Sequence, residues 1–117
     1  MVIGEDDVLL REGIARILEA FGLAVAGEAD TAASAMSAAD ALRPDAVLVD
    51  VGLPDRDGIA LAGDLTALPW RPRVVLTSSN AEAATATEVR RSGAEAFIPK
   101  NELPSAALGE LLARPAS

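Results

Sequence analysis

Asp50 closes the apolar run Ala46-Val47-Leu48-Val49 and opens onto Val51-Gly52-Leu53-Pro54-Asp55-Arg56-Asp57-Gly58. A carboxylate in that position lies where open α/β sheets place their chemistry, outside the carboxyl ends of the strands. Glu5-Asp6-Asp7 after Val2-Ile3, Thr77 after Val74-Val75-Leu76 and Lys100 after Phe97-Ile98-Pro99 share the same address. Acids converging on one sheet edge repel and raise each other's pKa unless a cation intervenes. Mg²⁺ suits such a place, because it takes oxygen ligands and is usually held by one or two carboxylates plus phosphate oxygens. With that charge shielded, an anionic carboxylate could attack phosphorus and form an aspartyl-phosphate. An ammonium and a hydroxyl would then supply donors to the equatorial oxygens of the transition state.

Each of these residues also has a plainer reading. Asp50 alone is a turn residue as readily as a nucleophile. Glu5-Asp6-Asp7 alone is a charge run favourable to a helix N-terminus. Thr77, in Thr77-Ser78-Ser79-Asn80, could be an N-cap, Phe97 a core residue, and Lys100 a solvated surface charge. Their joint occurrence at four strand ends, in order along the chain, favours the site.

The bulk numbers narrow the chemistry. The chain has 117 residues, enough for one domain. Half are hydrophobic but only 3% aromatic, which predicts a close-packed aliphatic core with alanine-rich helices. The net charge of −8, with Arg90-Arg91 the sole adjacent basic pair, argues against direct nucleic-acid binding. There is no Cys and no His, so thiolates, disulfides and imidazole bases are excluded. No apolar run approaches the ~20 residues of a membrane span, and no charged start followed by an apolar stretch suggests a signal peptide. A cytoplasmic domain is expected.

Apolar runs of strand length alternate with segments of helical period. Strands are expected at 2–5, 23–28, 45–50, 73–78 and 95–98, and helices at 9–21, 31–42, 58–67, 81–92 and 103–113. Such alternation implies βαβ units, a parallel sheet and helices on both faces. Leu10, Ile14, Ile17, Leu18 and Phe21 form one stripe, ended by Gly22 as a left-handed cap. The second helix starts after Asp30 or Thr31, stops before Arg43-Pro44, and is expected to bury Ala33, Met36, Ala39 and Leu42. The first strand is short, and Gly4 weakens it. Residues 114–117 read as a tail, the start of a linker to a further domain, and the natural chain is expected to begin slightly before Met1.

The chain resembles the receiver domains of two-component response regulators, the CheY-like family, over essentially its whole length. The residues that carry the likeness are Gly4 to Gly13, Val49 to Gly58, Val75-Leu76-Thr77-Ser78, and Ala94 to Lys100. Leu10-Arg11-Glu12-Gly13 and Phe97-Ile98-Pro99-Lys100 resemble the branch with a LuxR-type output domain, as in NarL-type regulators. The resemblance implies a flavodoxin-like, doubly wound five-stranded sheet in the order 2-1-3-4-5 with five helices, and a receiver over 1–113. It implies that Asp50 accepts a phosphoryl group from a histidine of a partner kinase. Asp6 and Asp50 would ligate Mg²⁺, with Glu5 acting through water and the Gly52 main-chain carbonyl completing the protein ligands. Thr77 and Lys100 would bond phosphoryl oxygens, and Phe97 would be the switch aromatic that turns inward when Thr77 moves. Three consecutive acids leave a register question; Arg11, five residues after the metal-binding acid in the family pattern, picks Glu5-Asp6 over Asp6-Asp7. The implied protein is a phosphorylation-controlled switch and not an enzyme. Its output would be transcription, through a separate DNA-binding domain, with homodimerisation on phosphorylation.

The chain departs from the family at three places. Asn101 follows Lys100 where the family often has proline. Gly52 offers no side chain to orient or block a hydrolytic water. Phe97 lacks the hydroxyl of the commoner tyrosine. Two rival readings remain: a haloacid-dehalogenase-like phosphohydrolase, which wants a second acid where Gly52 stands, and a degenerate receiver acting by protein contact alone. A dinucleotide-binding domain is disfavoured, because no Gly-x-Gly-x-x-Gly follows the first strand.

Overall fold

Parallel strands with apolar interiors are buried on both faces, so successive side chains serve opposite cores. The computed structural model, which describes residues 1–80 and 82–103, follows this rule. Strands β1 (Val2–Gly4), β2 (Gly27–Ala29), β3 (Ala46–Asp50), β4 (Arg73–Ser78) and β5 (Ala96–Pro99) form one parallel sheet in the order β2-β1-β3-β4-β5. Helices α1 (Val8–Ala20), α2 (Ala32–Leu42), α3 (Gly58–Thr66) and α4 (Ala86–Ser92) connect them, and a 3₁₀ turn, Lys100–Glu102, follows β5. Of the expected fifth helix only Leu103 is among the described residues; the rest of it and the tail lie outside them.

One core joins Ile3, Leu48 and Val75 of the sheet to Ile14 and Leu18 of α1 and to Leu103. The other joins Val2, Val47, Val49, Val74 and Leu76 to α2, α3 and Val89 of α4. Neighbouring residues of one strand thus face opposite cores. Glu5 shares the parity of Ile3, Asp50 that of Leu48, Thr77 that of Val75, and Lys100 that of Ile98, which packs in the α1-side core. Phe97 packs against the other core.

The helix ends follow local chemistry. The Asp7 side chain accepts from Leu10 N and caps α1. Thr31, not Asp30, caps α2, in a capping box with Ser34. The buried face of α2 is Ala32, Ala35 and Ala39 rather than the expected Ala33, Met36, Ala39 and Leu42. Leu42 is exposed and Met36 half-buried, because the smallest side chains let α2 approach the sheet closely. Two expected boundaries are also corrected. The strand expected at 23–28 pairs only over Gly27–Ala29, because β1 offers it three partners; Leu23 N bonds back to Leu18 O, and Ala26 N bonds Met1 O. The helix expected at 81–92 begins at Ala86, because Thr85 and Glu88 form a capping box that starts it there.

The chain turns sharply after β3. A Cβ on Gly58 would lie 2.3 Å from Asp50 O and 2.7 Å from Val51 Cα, so only glycine lets α3 start against the end of β3. Gly13, inside α1, would meet nothing within 4 Å. Gly58→Ala should therefore destabilise by about 2–4 kcal/mol, whereas Gly13→Ala should stabilise by about 0.5–1 kcal/mol. Urea unfolding of the two variants beside wild type checks both signs.

Candidate functional site

Carboxylates buried at a strand end need a counter-charge, since an isolated buried anion is costly. Glu5 and Asp50 are both buried, at 1% and 6% exposure. Lys100, the chain's single lysine, lies between them: its Nζ donates to Glu5 Oε1 at 3.0 Å and to Asp50 Oδ2 at 3.1 Å. The other Asp50 oxygen accepts from Gly52 N at 3.0 Å. Asp6 is exposed, yet its carboxylate reaches the same place: oxygens of Glu5, Asp6 and Asp50 lie within 4.8 Å of one another. Asp7 turns away to cap α1. The three adjacent acids thus divide between a buried carboxyl, a carboxyl at the rim and a helix cap.

Thr77 lies opposite Asp50 in the β3–β4 ladder. Its Oγ1 donates to Ile98 O at 2.7 Å, tying β4 to β5 at the edge of the site. Phe97, one residue earlier on β5 and on the opposite face, borders a groove of about 360 Å³ with Ala84, Ala86, Val89 and Arg90. All described peptide bonds are trans.

The titration of the site follows from this packing. Burial first, and then the side-chain interaction with Asp50 and its charge, push Glu5 up to about 7 against the pull of Lys100. Burial alone would also raise Asp50. Its interactions with Glu5, the Gly52 N–H and Lys100 instead hold it below its ordinary value. Burial pulls Lys100 down, but its bonds to Glu5 and Asp50 and their charges leave it above its ordinary value. Of the two buried carboxyls, the packing therefore favours the proton on Glu5 and the negative charge on Asp50.

Glu5 Oε2 is buried and has no hydrogen-bond partner among the described residues. An unpaired buried carboxylate oxygen beside two further carboxylates is a donor set of hard oxygens, which suits a hard divalent cation. The residues present fit such an ion.

Sequence reasoning overlooked two residues. Arg11 Nη1 donates to the Glu5 carbonyl at 2.8 Å, and its Nε faces Glu28 at 3.4 Å, so α1 grips the strand end that carries Glu5. Arg11 had served only to set the register of the acids. Asp55 accepts from Ala32 N at 2.7 Å and Ala33 N at 3.0 Å, joining the loop after Asp50 to α2. A loop aspartate gives no sign in the sequence of a partner more than twenty residues away.

The response regulator receiver domain model matches residues 1–111. The chain belongs to the response regulator receiver domain family. The transcriptional regulatory protein NarL of Mycobacterium tuberculosis is 35% identical over 102 residues, 86% of this chain and 47% of that protein. The chemotaxis protein CheY of Thermotoga maritima is 28% identical over 105 residues, 90% of this chain and 88% of that protein. Among solved structures, the signal receiver domain of the M. tuberculosis NarL superposes with a TM-score of 0.82 at 34% identity, covering 97% of this chain and 95% of that one. A LuxR-family response regulator from Aurantimonas gives 0.82 at 26% identity, over 99% and 86%. This receiver spans about half the length of the transcriptional regulators it matches. It is thus the receiver domain of a two-component response regulator, a signalling switch in the doubly wound 2-1-3-4-5 fold. Among the described residues no helix is long and apolar enough to cross a membrane.

The raised Glu5 has a measurable sign. Between its ordinary value of 4.5 and about 7, the folded receiver keeps a proton on Glu5 that the unfolded chain has lost. Glu5's contribution to stability therefore falls as pH rises through that window. Glu5→Gln keeps the shape of the protonated side chain and cannot ionise. In Mg²⁺-free buffer, the thermal midpoint of the variant minus that of wild type should grow more positive from pH 5 to pH 8. A difference that stays flat with pH would show that Glu5 is already ionised in this range.

Proposed function

We propose that this receiver accepts a phosphoryl group on Asp50 from a phosphohistidine of a sensor kinase, with Mg²⁺ held by Asp6, Asp50 and the Gly52 carbonyl, and by Glu5 through water. The observation that carries this reading is Lys100 Nζ, 3.0 Å from Glu5 and 3.1 Å from Asp50. That ammonium compensates charge today and stands one hydrogen bond from the oxygens of a group attached to Asp50. The metal would shield the incoming phosphoryl charge. Contacts with Glu5, the Gly52 N–H and Lys100 outweigh burial, so the Asp50 carboxylate is anionic at neutral pH. An Asp50 oxygen forms the new O–P bond as the donor's P–N bond breaks, and the electron pair stays on the imidazole nitrogen. Lys100 then follows the charge to the phosphoryl oxygens, where in-line transfer concentrates it.

Readout starts at Thr77. Its single hydroxyl proton now bonds Ile98 O, and a phosphoryl oxygen would compete for it. Moving Thr77 toward Asp50 frees the β5 edge and changes the support of Phe97, whose ring borders the groove with α4. We read Phe97 as turning inward there by packing alone, since it has no hydroxyl to bond. The M. tuberculosis relative is named as a transcriptional regulatory protein, which supports transcription as the output; we read that output as acting in the cytoplasm through a DNA-binding domain and phosphorylation-dependent dimerisation. A phosphohydrolase of the haloacid-dehalogenase type gains no support, since position 52 carries no acid and the family match is to receivers. A receiver acting by contact alone would not need Glu5, Lys100 and Asp50 assembled with these bonds.

Acetyl phosphate with Mg²⁺ should add one phosphoryl group to wild type, read by intact-protein mass or Phos-tag mobility. Asp50→Asn should stay unlabelled, and EDTA should abolish labelling of wild type. Equal labelling of Asp50→Asn would move the acceptor elsewhere. Thr77→Ala should still be labelled but should lose the Mg²⁺- and phosphate-dependent change in amide exchange at β5.

A Cβ at position 52 would lie 3.8 Å from Asp50 Oδ1, an ordinary contact, so side chains fit there. Gly52→Met should slow hydrolysis of the phosphorylated protein several-fold by covering the approach of water, measured as loss of the 80 Da adduct with time. An unchanged half-life would mean that water reaches phosphorus from another side.

A further inference from the structure

The loop from Val51 to Asp57 joins the acceptor strand to α3. Its two ends are pinned: Val51 N bonds Thr77 O, Gly58 N bonds Val51 O, and Gly58 abuts Asp50 without room for a Cβ. Between them, Gly52 N donates to Asp50 and Leu53 is buried. From Pro54 to Asp57 the loop is exposed. Of the polar side chains there, Asp57 caps α3 and Arg56 pairs with Asp64 of α3, both local contacts. Asp55 alone reaches another part of the fold. Its two oxygens take separate N–H groups in the first turn of α2, Ala32 N at 2.7 Å and Ala33 N at 3.0 Å. Thr31 caps this helix through Ser34 N, and Asp55 takes the two N–H groups of the first turn that Thr31 does not.

We propose that Asp55 is a positioning residue for the phosphoacceptor site: its bidentate bond to α2 holds the loop so that the Gly52 backbone stays in register with Asp50. This rests on the reading of Asp50 and Gly52 given above. The bonds are between a carboxylate and backbone N–H groups at the positive end of a helix, which makes them strong for an exposed contact. The bonds from Ala32 and Ala33 hold the Asp55 carboxyl below its ordinary value, so the tether stays ionised at neutral pH. The tether also links α2 to the backbone beside the acceptor. A shift in the first turn of α2 would reach Gly52 through two hydrogen bonds and three residues of chain.

The test compares Asp55→Ala with Thr31→Val, which weakens the same helix end without touching the loop. Both should lower the thermal midpoint by a few degrees, since both remove N-terminal partners of α2. Only Asp55→Ala should weaken Mg²⁺ binding, by about 10-fold in calorimetry, as loss of an outer-shell support typically does. Only Asp55→Ala should speed amide exchange at Gly52 and Leu53. Asp55→Asn keeps one carbonyl acceptor and should fall between. The proposal is overturned if Asp55→Ala binds Mg²⁺ like wild type, if Thr31→Val weakens binding equally, or if Gly52 exchange does not change. A wild type that binds no Mg²⁺, while Asp55→Ala alone speeds Gly52 exchange, would sink the site reading and leave the tether standing.

Discussion

Two carboxylates buried within reach of one ammonium set the terms for this molecule. Neither Glu5 nor Asp50 could stay ionised at these exposures without help, because desolvation penalises each and each repels the other. Lys100 relieves one of the two charges and the retained proton on Glu5 relieves the other. The arrangement is therefore poised: one negative charge is satisfied, and one carboxylate oxygen, Glu5 Oε2, has no partner among the described residues. A divalent cation would ease both problems at once by displacing the proton and offering the free oxygen a metal-bound water as its partner. The price of holding that site ready is stability given up near neutral pH.

The sheet makes the cluster possible through parity. In β3 and β4, and one residue past the ends of β1 and β5, the site residue stands two positions after a residue of the α1-side core: Leu48 and Asp50, Val75 and Thr77, Ile3 and Glu5, Ile98 and Lys100. Side chains two apart on a strand share a face. Four strands in register then deliver four functional groups to one side of one edge. Phe97 breaks this parity by one residue and so belongs to the opposite core. The same strand thereby carries a group that senses the site and a ring that contacts α4. A one-residue slip of β5 would exchange them.

The order of elements and the strand-end cluster were legible because they depend on local runs of residue type. What escaped was set by partners. The second strand is short because β1 presents only Val2 to Gly4 for pairing. The buried face of α2 moved from the larger side chains to Ala32, Ala35 and Ala39, since closeness to the sheet outweighed the area of Met36 and Leu42. The start of α4 was readable after all, in Thr85 and Glu88, but the alanine-rich stretch before it carried the helical period further back. Arg11 and Asp55 escaped for a different reason. Each acts through main-chain atoms of another element, and a backbone carbonyl or N–H leaves no trace in residue type.

The two backbone contacts hold opposite sides of the same cluster. Arg11 fixes the carbonyl of Glu5 from α1, and Asp55 fixes the loop after Asp50 from α2. Helices on both faces of the sheet thus constrain the site edge, while Thr77 constrains it from β5 with a single hydroxyl proton. These restraints differ in what a phosphoryl group can do to them. Arg11 and Asp55 are charged groups bonded to backbone partners that a phosphoryl group on Asp50 does not replace. The Thr77 bond is neutral, and its donor points into the site edge, where a dianionic oxygen is the stronger acceptor. If Asp50 is the acceptor, as proposed, a phosphoryl group there should displace the Thr77 bond first and leave the other two in place. That ordering directs motion toward β5 and α4 rather than spreading it over the whole fold.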